Sequence, residues 1–162
     1  MAEVMFEKLR AQRQAGRLPH ALCFSGPVEH DFAWKFAELL VCERSEPPSE
    51  PPTEPPCGTC GPCRRVVARQ SESVLWIAPE KNTIKVEAAR DILDFLALQR
   101  VSRARIIIIE QAHLLSVQTA NALLKAIEEP PPETYFVLLT SEFSLLLPTL
   151  RSRVQTLRFA PK

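Results

Sequence analysis

Four consecutive isoleucines at positions 106–109 constrain the fold of this chain more than any other segment. β-branched side chains favour strands, and an unbroken apolar run needs cover on both faces of a sheet. Strands buried on both faces are typical of parallel sheets, because the crossover helices of such sheets lie on both sides. The run therefore predicts a central strand over residues 105–110 in a layered α/β fold.

The rest of the chain alternates between short apolar runs typical of strands and apolar residues at the helical spacing of three to four. Short apolar runs bounded by turn residues predict four further strands, at 21–25, 74–78, 135–140 and 154–159. Apolar residues at helical spacing predict helices at 3–16, 32–42, 86–100 and 117–129. We predict Asp31 and Ser116 as N-cap residues of the second and fourth helices. Strands that alternate with helices indicate a mostly parallel central sheet.

Composition excludes several classes of protein for this chain of 162 residues. Hydrophobic residues make up 46% and charged residues 24%, which is typical of a globular domain rather than a disordered chain. The longest apolar runs fall far short of the roughly 20 residues that span a membrane, and the N-terminus lacks a signal-peptide pattern, so we expect a cytoplasmic protein. A net charge of +1 argues against strong non-specific polyanion binding, although a local basic patch stays possible.

Six of the fifteen prolines lie in one segment, residues 46–56. Proline lacks the amide donor and disfavours helix at the preceding residue, so this segment can be neither helix nor inner strand. We interpret it as an extended, solvated insertion. The alternative is a proline-rich docking motif for another protein.

Three of the five cysteines form two overlapping C-x-x-C steps, and a fourth precedes the proline-rich segment. Four thiolates that converge on one ion complete the tetrahedral site of structural Zn²⁺. A disulfide framework fits poorly with the absence of an export signal, and a thioredoxin-type redox pair is the remaining alternative. We predict a zinc module over residues 42–65, with the ligands Cys42, Cys57, Cys60 and Cys63. Cys23, inside an apolar strand, is interpreted as a small buried hydrophobe.

The turn after the first strand stands where a phosphate-binding loop would lie, but its sequence departs from that motif. Such a loop reads G-x-x-x-x-G-K-[ST], because backbone amides cradle the phosphates, the lysine pairs with their charge and the hydroxyl binds Mg²⁺. Aligned from Gly26, the second glycine is Asp31, the lysine is Phe32 and the hydroxyl residue is Ala33. Lys35 comes three residues too late. A carboxylate and an aromatic ring in place of anion-binding groups predict that no nucleotide binds.

A second motif of nucleotide hydrolysis is altered as well. The strand that carries it normally ends in Asp-Glu, where Asp holds Mg²⁺ and Glu activates the attacking water. The isoleucine strand ends instead in Glu110 and Gln111, and an amide cannot act as the base. Two independent changes therefore predict that the chain does not hydrolyse nucleotides by itself.

Five segments of the chain together resemble the clamp-loader subunits of bacterial DNA polymerase III, which belong to the AAA+ class. They are residues 18–27, the cysteine cluster, residues 84–87, residues 121–131 and residues 147–153. The most specific is N-A-L-L-K-A-I-E-E-P-P at 121–131, because this order is hard to obtain by chance. The resemblance is closest to the delta-prime branch of the family and covers nearly the whole chain.

The resemblance implies a fold, a metal and a catalytic residue. The fold is a RecA-like AAA+ three-layer domain over residues 1–162, and the metal is zinc held by the four cysteines named above. Delta-prime subunits typically carry a degenerate phosphate loop and do not hydrolyse ATP. Their Ser-Arg-Cys motif matches Ser152-Arg153, so Arg153 is expected to act as an arginine finger in trans, with Arg151 as second candidate. Val154 replaces the cysteine of that motif, and the insertion lengthens the usual spacing of the zinc ligands.

The resemblance also implies an assembly. Delta-prime subunits join tau/gamma motor subunits and a delta subunit in a heteropentamer that loads the sliding clamp onto primed DNA. Family members continue into a helical lid and a collar, which these 162 residues do not include. The expectation is a non-catalytic component of the DNA polymerase III holoenzyme, cytoplasmic and nucleoid-associated in a bacterium.

Two other functions stay open from the sequence. The first is an active AAA+ ATPase with an unusual phosphate loop, which would be stabilised by Mg·ATP. The second is a zinc-based nucleic-acid-binding module, in which Arg64 and Arg65 beside the cysteines contact phosphates. The proline-rich segment offers no recognition helix for such a module.

Overall fold

The computed structural model describes residues 1–43 and 54–161, which contain one five-stranded sheet. All of its neighbouring strands are parallel, in the order β2-β3-β4-β1-β5. The strands are β1 Ala21–Ser25, β2 Val74–Ile77, β3 Arg105–Ile109, β4 Thr134–Thr140 and β5 Gln155–Arg158. The isoleucine run lies in β3, between β2 and β4, and all its side chains are buried. The predicted parallel sheet is therefore confirmed.

Six helices connect and cover these strands in the described part of the chain. They are α1 Ala2–Gln14, α2 His30–Val41, α3 Gly61–Val67, α4 Val86–Ala97, α5 Val117–Glu128 and α6 Pro148–Arg151. Ile106 and Ile108 pack in the core under α1, α2 and α3, whereas Ile107 and Ile109 pack under α4, α5 and α6. Side chains alternate along a strand, so the isoleucine run fills both cores at once. The fold is a three-layer α/β sandwich.

One helix start and two short helices differ from what the sequence predicts. Helix α2 begins at His30 with Glu29 as its N-cap residue, so Asp31 lies in the first turn and is not the cap. Helices α3 and α6 were not predicted, because each is short and carries a proline in its first turn. Proline suits the first turn of a helix, where its missing amide has no partner to lose. Ser116 is confirmed as a cap, since its Oγ accepts a hydrogen bond from the Thr119 amide at 3.1 Å.

The proline-rich insertion lies mostly outside the described residues, so its interpretation as a solvated loop stays a prediction for 46–53. Its described end contacts the N-terminal helix. The Arg10 guanidinium donates to the Pro55 carbonyl at 2.8 Å and to the Glu54 carboxylate at 3.1 Å. These contacts join the end of the insertion to α1.

The parallel arrangement brings the carboxyl ends of the strands to one edge of the sheet. Ser25 pairs with Thr140 on one side and Arg158 on the other, and Ile109 pairs with Leu138. The residues that follow these strands therefore lie along the same edge, which is where ligands bind in open α/β sheets. No helix in the described residues is both long enough and apolar enough to cross a membrane.

Gly26 is the one residue of this edge whose lack of a side chain the fold requires. Its φ is +113°, and a Cβ there would stand 2.1 Å from the Phe159 carbonyl oxygen. That carbonyl belongs to the backbone just after β5, whose Phe159 amide donates to the Ser25 carbonyl at 2.7 Å. A side chain at Gly26 would therefore push β5 away from β1.

We expect Gly26→Ala to lower the free energy of unfolding by about 3 kcal/mol or more, from overpacking and backbone strain together. Gly16→Ala is the matched control, since Gly16 also has a positive φ, +69°, but no atom within 4 Å of the added Cβ. It should cost about 1 kcal/mol. Urea unfolding of the two variants checks this, and equal losses would contradict the role of the Phe159 contact.

Candidate metal centre and altered nucleotide site

Four cysteines from three parts of the chain meet at one end of α2. Their Sγ atoms all lie within 4.8 Å of one another. Cys42 is the C-cap residue of α2, Cys60 is the N-cap residue of α3, and Cys63 lies in the first turn of α3. All five cysteines of the chain are free thiols, so the cluster is not a disulfide. The structure thus brings together every predicted ligand.

The geometry of the cluster suits a tetrahedral metal. Zinc–sulfur bonds of about 2.3 Å place thiolates about 3.8 Å apart in a tetrahedron, and the Cys57 and Cys63 Sγ atoms are 4.0 Å apart. Backbone amides point at the sulfur atoms: Thr59 and Cys60 donate to Cys57 Sγ at 3.5 and 3.3 Å. Such donors stabilise thiolates, as metal ligation requires. The cluster could hold a metal ion.

The thiols of the cluster do not titrate alike. Burial raises the pKa of Cys57, but the amides of Thr59 and Cys60 outweigh it and bring the pKa below its ordinary value. The hydrogen bond with Cys42, together with burial, raises the pKa of Cys63. Cys23 lies apart from the cluster, fully buried in β1, and burial raises its pKa to about 12. Its interpretation as a buried hydrophobe is confirmed.

The turn after β1 is closed on itself and leads directly into α2. The Val28 amide donates to the Gly26 carbonyl at 2.9 Å, and the Phe32 amide to the Glu29 carbonyl at 3.0 Å. The carboxylate of Asp31 is 89% exposed and pairs with Arg69 at 3.0 Å. The position aligned with the second glycine of a phosphate loop thus carries a negative charge at the helix start.

The two positions aligned with the catalytic lysine and hydroxyl face the apolar core. The Phe32 ring lies 5.4 Å from the Phe24 ring and 4.9 Å from the Phe159 ring, both edge to face. Ala33 is completely buried. The Lys35 ammonium lies 4.7 Å from the centre of the Phe6 ring. None of these side chains presents a group to a phosphate at the turn.

Glu110, at the end of β3, is engaged by neighbouring side chains. The Trp76 indole donates to one of its carboxylate oxygens at 2.9 Å, and His30 Nε2 lies 3.4 Å from the other. The Trp76 ring stacks on Trp34 at 5.1 Å, with the planes 8° apart. Gln111, with φ +49°, is exposed and begins a short 3₁₀ turn. Both carboxylate oxygens of Glu110 therefore have side chains of the protein as near neighbours.

The sequence analysis missed these partners of Glu110 because they come from other elements. Trp76 lies on β2 and pairs in register with Ile108, and His30 begins α2. A further pair at the same edge joins His113 Nδ1, in the 3₁₀ turn after β3, to Thr140 Oγ1 at the end of β4, at 2.8 Å. No local spacing relates these residues, and only the strand order brings them together.

The predicted finger lies at the other edge of the sheet. Arg153 follows α6, two residues before β5, and Gln155 of β5 pairs with Leu22 of β1. Four residues of strand separate Leu22 from Gly26, which is about 13 Å. Arg153 is 31% exposed, forms an ion pair with Glu128, and donates to the Thr149 carbonyl at 2.7 Å. Its side chain is therefore remote from the altered loop of its own chain.

The sheet order, the layers and the loop after β1 define a RecA-like domain of the AAA+ class. A solved structure of a DNA polymerase III gamma subunit-related protein from Thermotoga maritima has the same fold, with a TM-score of 0.64 at 22% identity. It is matched over 96% of this chain and 46% of its own.

The whole chain, residues 1–162, matches the model of the family described as DNA polymerase III, delta subunit. Subunit delta' of DNA polymerase III from Escherichia coli is 38% identical over 96% of this chain and 47% of its own length. Subunit gamma/tau from Mycobacterium tuberculosis is 34% identical over 86% of this chain and 24% of its own. The chain belongs to the DNA polymerase III delta-prime family and spans about half the length of the delta' relatives it matches.

Proposed function

We propose that the protein is a delta-prime-type subunit of a bacterial clamp loader, which does not hydrolyse ATP and supplies Arg153 to a neighbouring motor subunit. The observation that carries this proposal is the separation of two features. The altered phosphate loop and Glu110 lie at the carboxyl edge of the sheet, and Arg153 lies beyond the amino end of β5. The chain's own nucleotide groups are altered, while a partly exposed arginine is available elsewhere.

The loss of hydrolysis follows from the contacts of the altered site. A lysine and a hydroxyl are missing where phosphates and Mg²⁺ would need them, and aromatic packing fills the lysine position. Trp76 and His30 engage Glu110, and the residue after it is an amide. Asp31 adds negative charge at the helix start, where phosphate binding exploits positive potential. Each change by itself weakens binding or catalysis.

An arginine suits action on a neighbouring subunit's ATP. Its guanidinium stays charged and carries five N–H donors, so it can contact phosphate oxygens while other N–H groups bond its own chain. Such fingers stabilise the charge that develops on the transferring phosphoryl group. Because the side chain cannot reach its own loop across about 13 Å of strand, the phosphate that it serves must belong to another chain.

The partners follow from the family. The gamma/tau proteins that the chain resembles are the proposed motor neighbours, with a delta subunit completing a heteropentamer that loads the sliding clamp onto primed DNA. In this proposal residues 1–162 are the RecA-like domain, acting in the replisome in the bacterial cytoplasm. Arg64 and Arg65 are exposed on α3, but α3 has only seven residues, which is short for a helix that reads a groove.

The proposed metal is structural zinc held by Cys42, Cys57, Cys60 and Cys63. Four thiolates leave no open coordination position, so the ion would stabilise the fold rather than catalyse a reaction. It would join the C-terminal end of α2 to α3, two helices that pack against each other.

We expect about one Zn²⁺ per purified chain and its loss in Cys60→Ser, because three ligands leave the site open to water. Cys23→Ala is the matched control, since Cys23 is buried in β1 apart from the cluster. This variant protein should retain its zinc. Elemental analysis of both variants checks this. Freshly purified wild-type protein without metal would contradict the assignment.

We expect millimolar Mg·ATP to leave the thermal midpoint of the protein unchanged, because a ligand shifts the midpoint only if it binds the folded state.

The double variant Phe32→Lys, Ala33→Thr should have no ATPase activity, since Asp31 and Gln111 remain. A gamma/tau protein measured alongside serves as the positive control. Turnover by this double variant would show that the chain is closer to an active ATPase than proposed.

We expect Arg153→Ala to reduce the clamp- and DNA-stimulated ATPase of a loader reconstituted from full-length subunits. Turnover at the motor site facing Arg153 should fall by roughly 10³-fold or more. Arg153→Lys should restore little, because an ammonium keeps the charge but not the planar fork. Arg151→Ala is the matched control and should behave as wild type. Normal ATPase and clamp loading by Arg153→Ala would exclude the finger.

A further inference from the structure

Glu128 holds the guanidinium of Arg153 from a different element of the fold. Glu128 is the last residue of α5, and its carboxylate accepts a hydrogen bond from Arg153 Nε, 25 residues further along the chain. On the other side, Arg153 Nη1 donates to the Thr149 carbonyl at 2.7 Å and to the Ser152 hydroxyl at 3.2 Å. The guanidinium is therefore fixed between α5 and the end of α6.

These contacts engage some of the N–H donors of the Arg153 guanidinium and leave others without an acceptor in the described residues. An arginine head has five N–H donors, one on Nε and two on each Nη. The three on Nε and Nη1 are matched by the three acceptors just named. Nη2 has no hydrogen-bond partner within residues 1–43 and 54–161, so its two donors are available to an external oxygen. The arrangement fixes which nitrogen of Arg153 a phosphate would meet.

We propose that Glu128 is a positioning residue for Arg153: it holds Nε so that Nη2 is presented to the phosphate of a neighbouring subunit. This inference rests on the proposed function of Arg153. A long, flexible side chain loses conformational entropy when it is held in one geometry. A hydrogen bond that already orders the side chain in the free subunit lowers the entropy cost of binding the phosphate. Transition-state stabilisation depends on such preorganised donors.

The exposure of the pair favours positioning over fold stability. The side chains of Arg153 and Glu128 are 31% and 47% exposed. Ion pairs that water reaches contribute little to folding, because solvent screens the charges. Removing Glu128 should therefore leave the fold intact while it releases the arginine.

The opposite role is also physically possible, and it gives the opposite result. If Glu128 instead restrained Arg153 in an inactive position, its removal would free the arginine and raise activity. The preformed contacts with the Thr149 carbonyl and the Ser152 hydroxyl argue for positioning, because they hold Arg153 beside its own backbone without consuming Nη2.

The test is a double-mutant cycle in a loader reconstituted from full-length subunits. We expect Glu128→Ala to lower the stimulated kcat for ATP about three- to tenfold, with little change in KM, because ATP binds to the neighbouring subunit. Glu128→Gln should retain part of the effect, since its amide oxygen still accepts from Nε. In the Arg153→Ala background, Glu128→Ala should change nothing further. Glu129→Ala, which removes the adjacent exposed carboxylate, is the matched control and should behave as wild type.

The outcomes separate this inference from the function on which it rests. If Arg153→Ala has no effect, the proposed finger is wrong. If Arg153→Ala lowers the ATPase but Glu128→Ala leaves it unchanged or raises it, the finger stands and the positioning role is excluded. An equal loss from Glu128→Ala with and without Arg153 would also exclude it. The thermal midpoint of the variant subunit should match that of the wild type, which distinguishes positioning from loss of fold.

Discussion

Burial of the central strands on both faces is the constraint on which the rest of the structure depends. Strands β3, β4 and β1 are buried on both faces, as is typical of parallel strands that are joined by helical crossovers. Parallel strands end at the same edge, and this places Gly26 and Glu110 at the same end of the sheet, with β4 between their strands. The same rule puts Arg153, which precedes β5, at the far edge. The parallel arrangement of the strands thus places the altered loop and Arg153 at opposite ends of the sheet.

The edge that carries Asp31, Phe32 and Glu110 differs from a phosphate-binding site in its side-chain contacts. Phe32 takes part in a cluster of aromatic rings where a binding loop would carry lysine, and the Trp76 indole donates to a carboxylate oxygen of Glu110. Asp31 is matched by Arg69, whose guanidinium also lies 4.4 Å from the centre of the Trp34 ring. Each of these groups therefore has a partner within the protein.

Features that follow from local pattern could be predicted from the sequence. Short sequence patterns were enough to predict the buried strand from the isoleucine run, the helix cap at Ser116 and the cysteine cluster from its spacing. The errors have a different origin. Helices α3 and α6 are short and carry a proline in the first turn, so no helical periodicity marks them, and the N-cap residue of α2 is Glu29 rather than Asp31. The partners of Glu110 and Arg153 depend on strand order and helix placement, which no spacing reveals. The family motifs singled out these residues as candidates, and the structure shows their contacts.

Helix α2 begins at the altered loop, and its C-cap residue, Cys42, belongs to the cysteine cluster. In a nucleotide-binding relative of this fold, a ligand at the start of the helix would stabilise the folded state only when bound. Here aromatic packing holds one end, and the proposed metal would hold the other. In the proposed function neither attachment depends on ATP, so the shape of this domain would not vary through a hydrolysis cycle. A subunit that presents an arginine to a neighbour's phosphate benefits from that constancy, because its donor must be in place whenever the neighbour binds ATP.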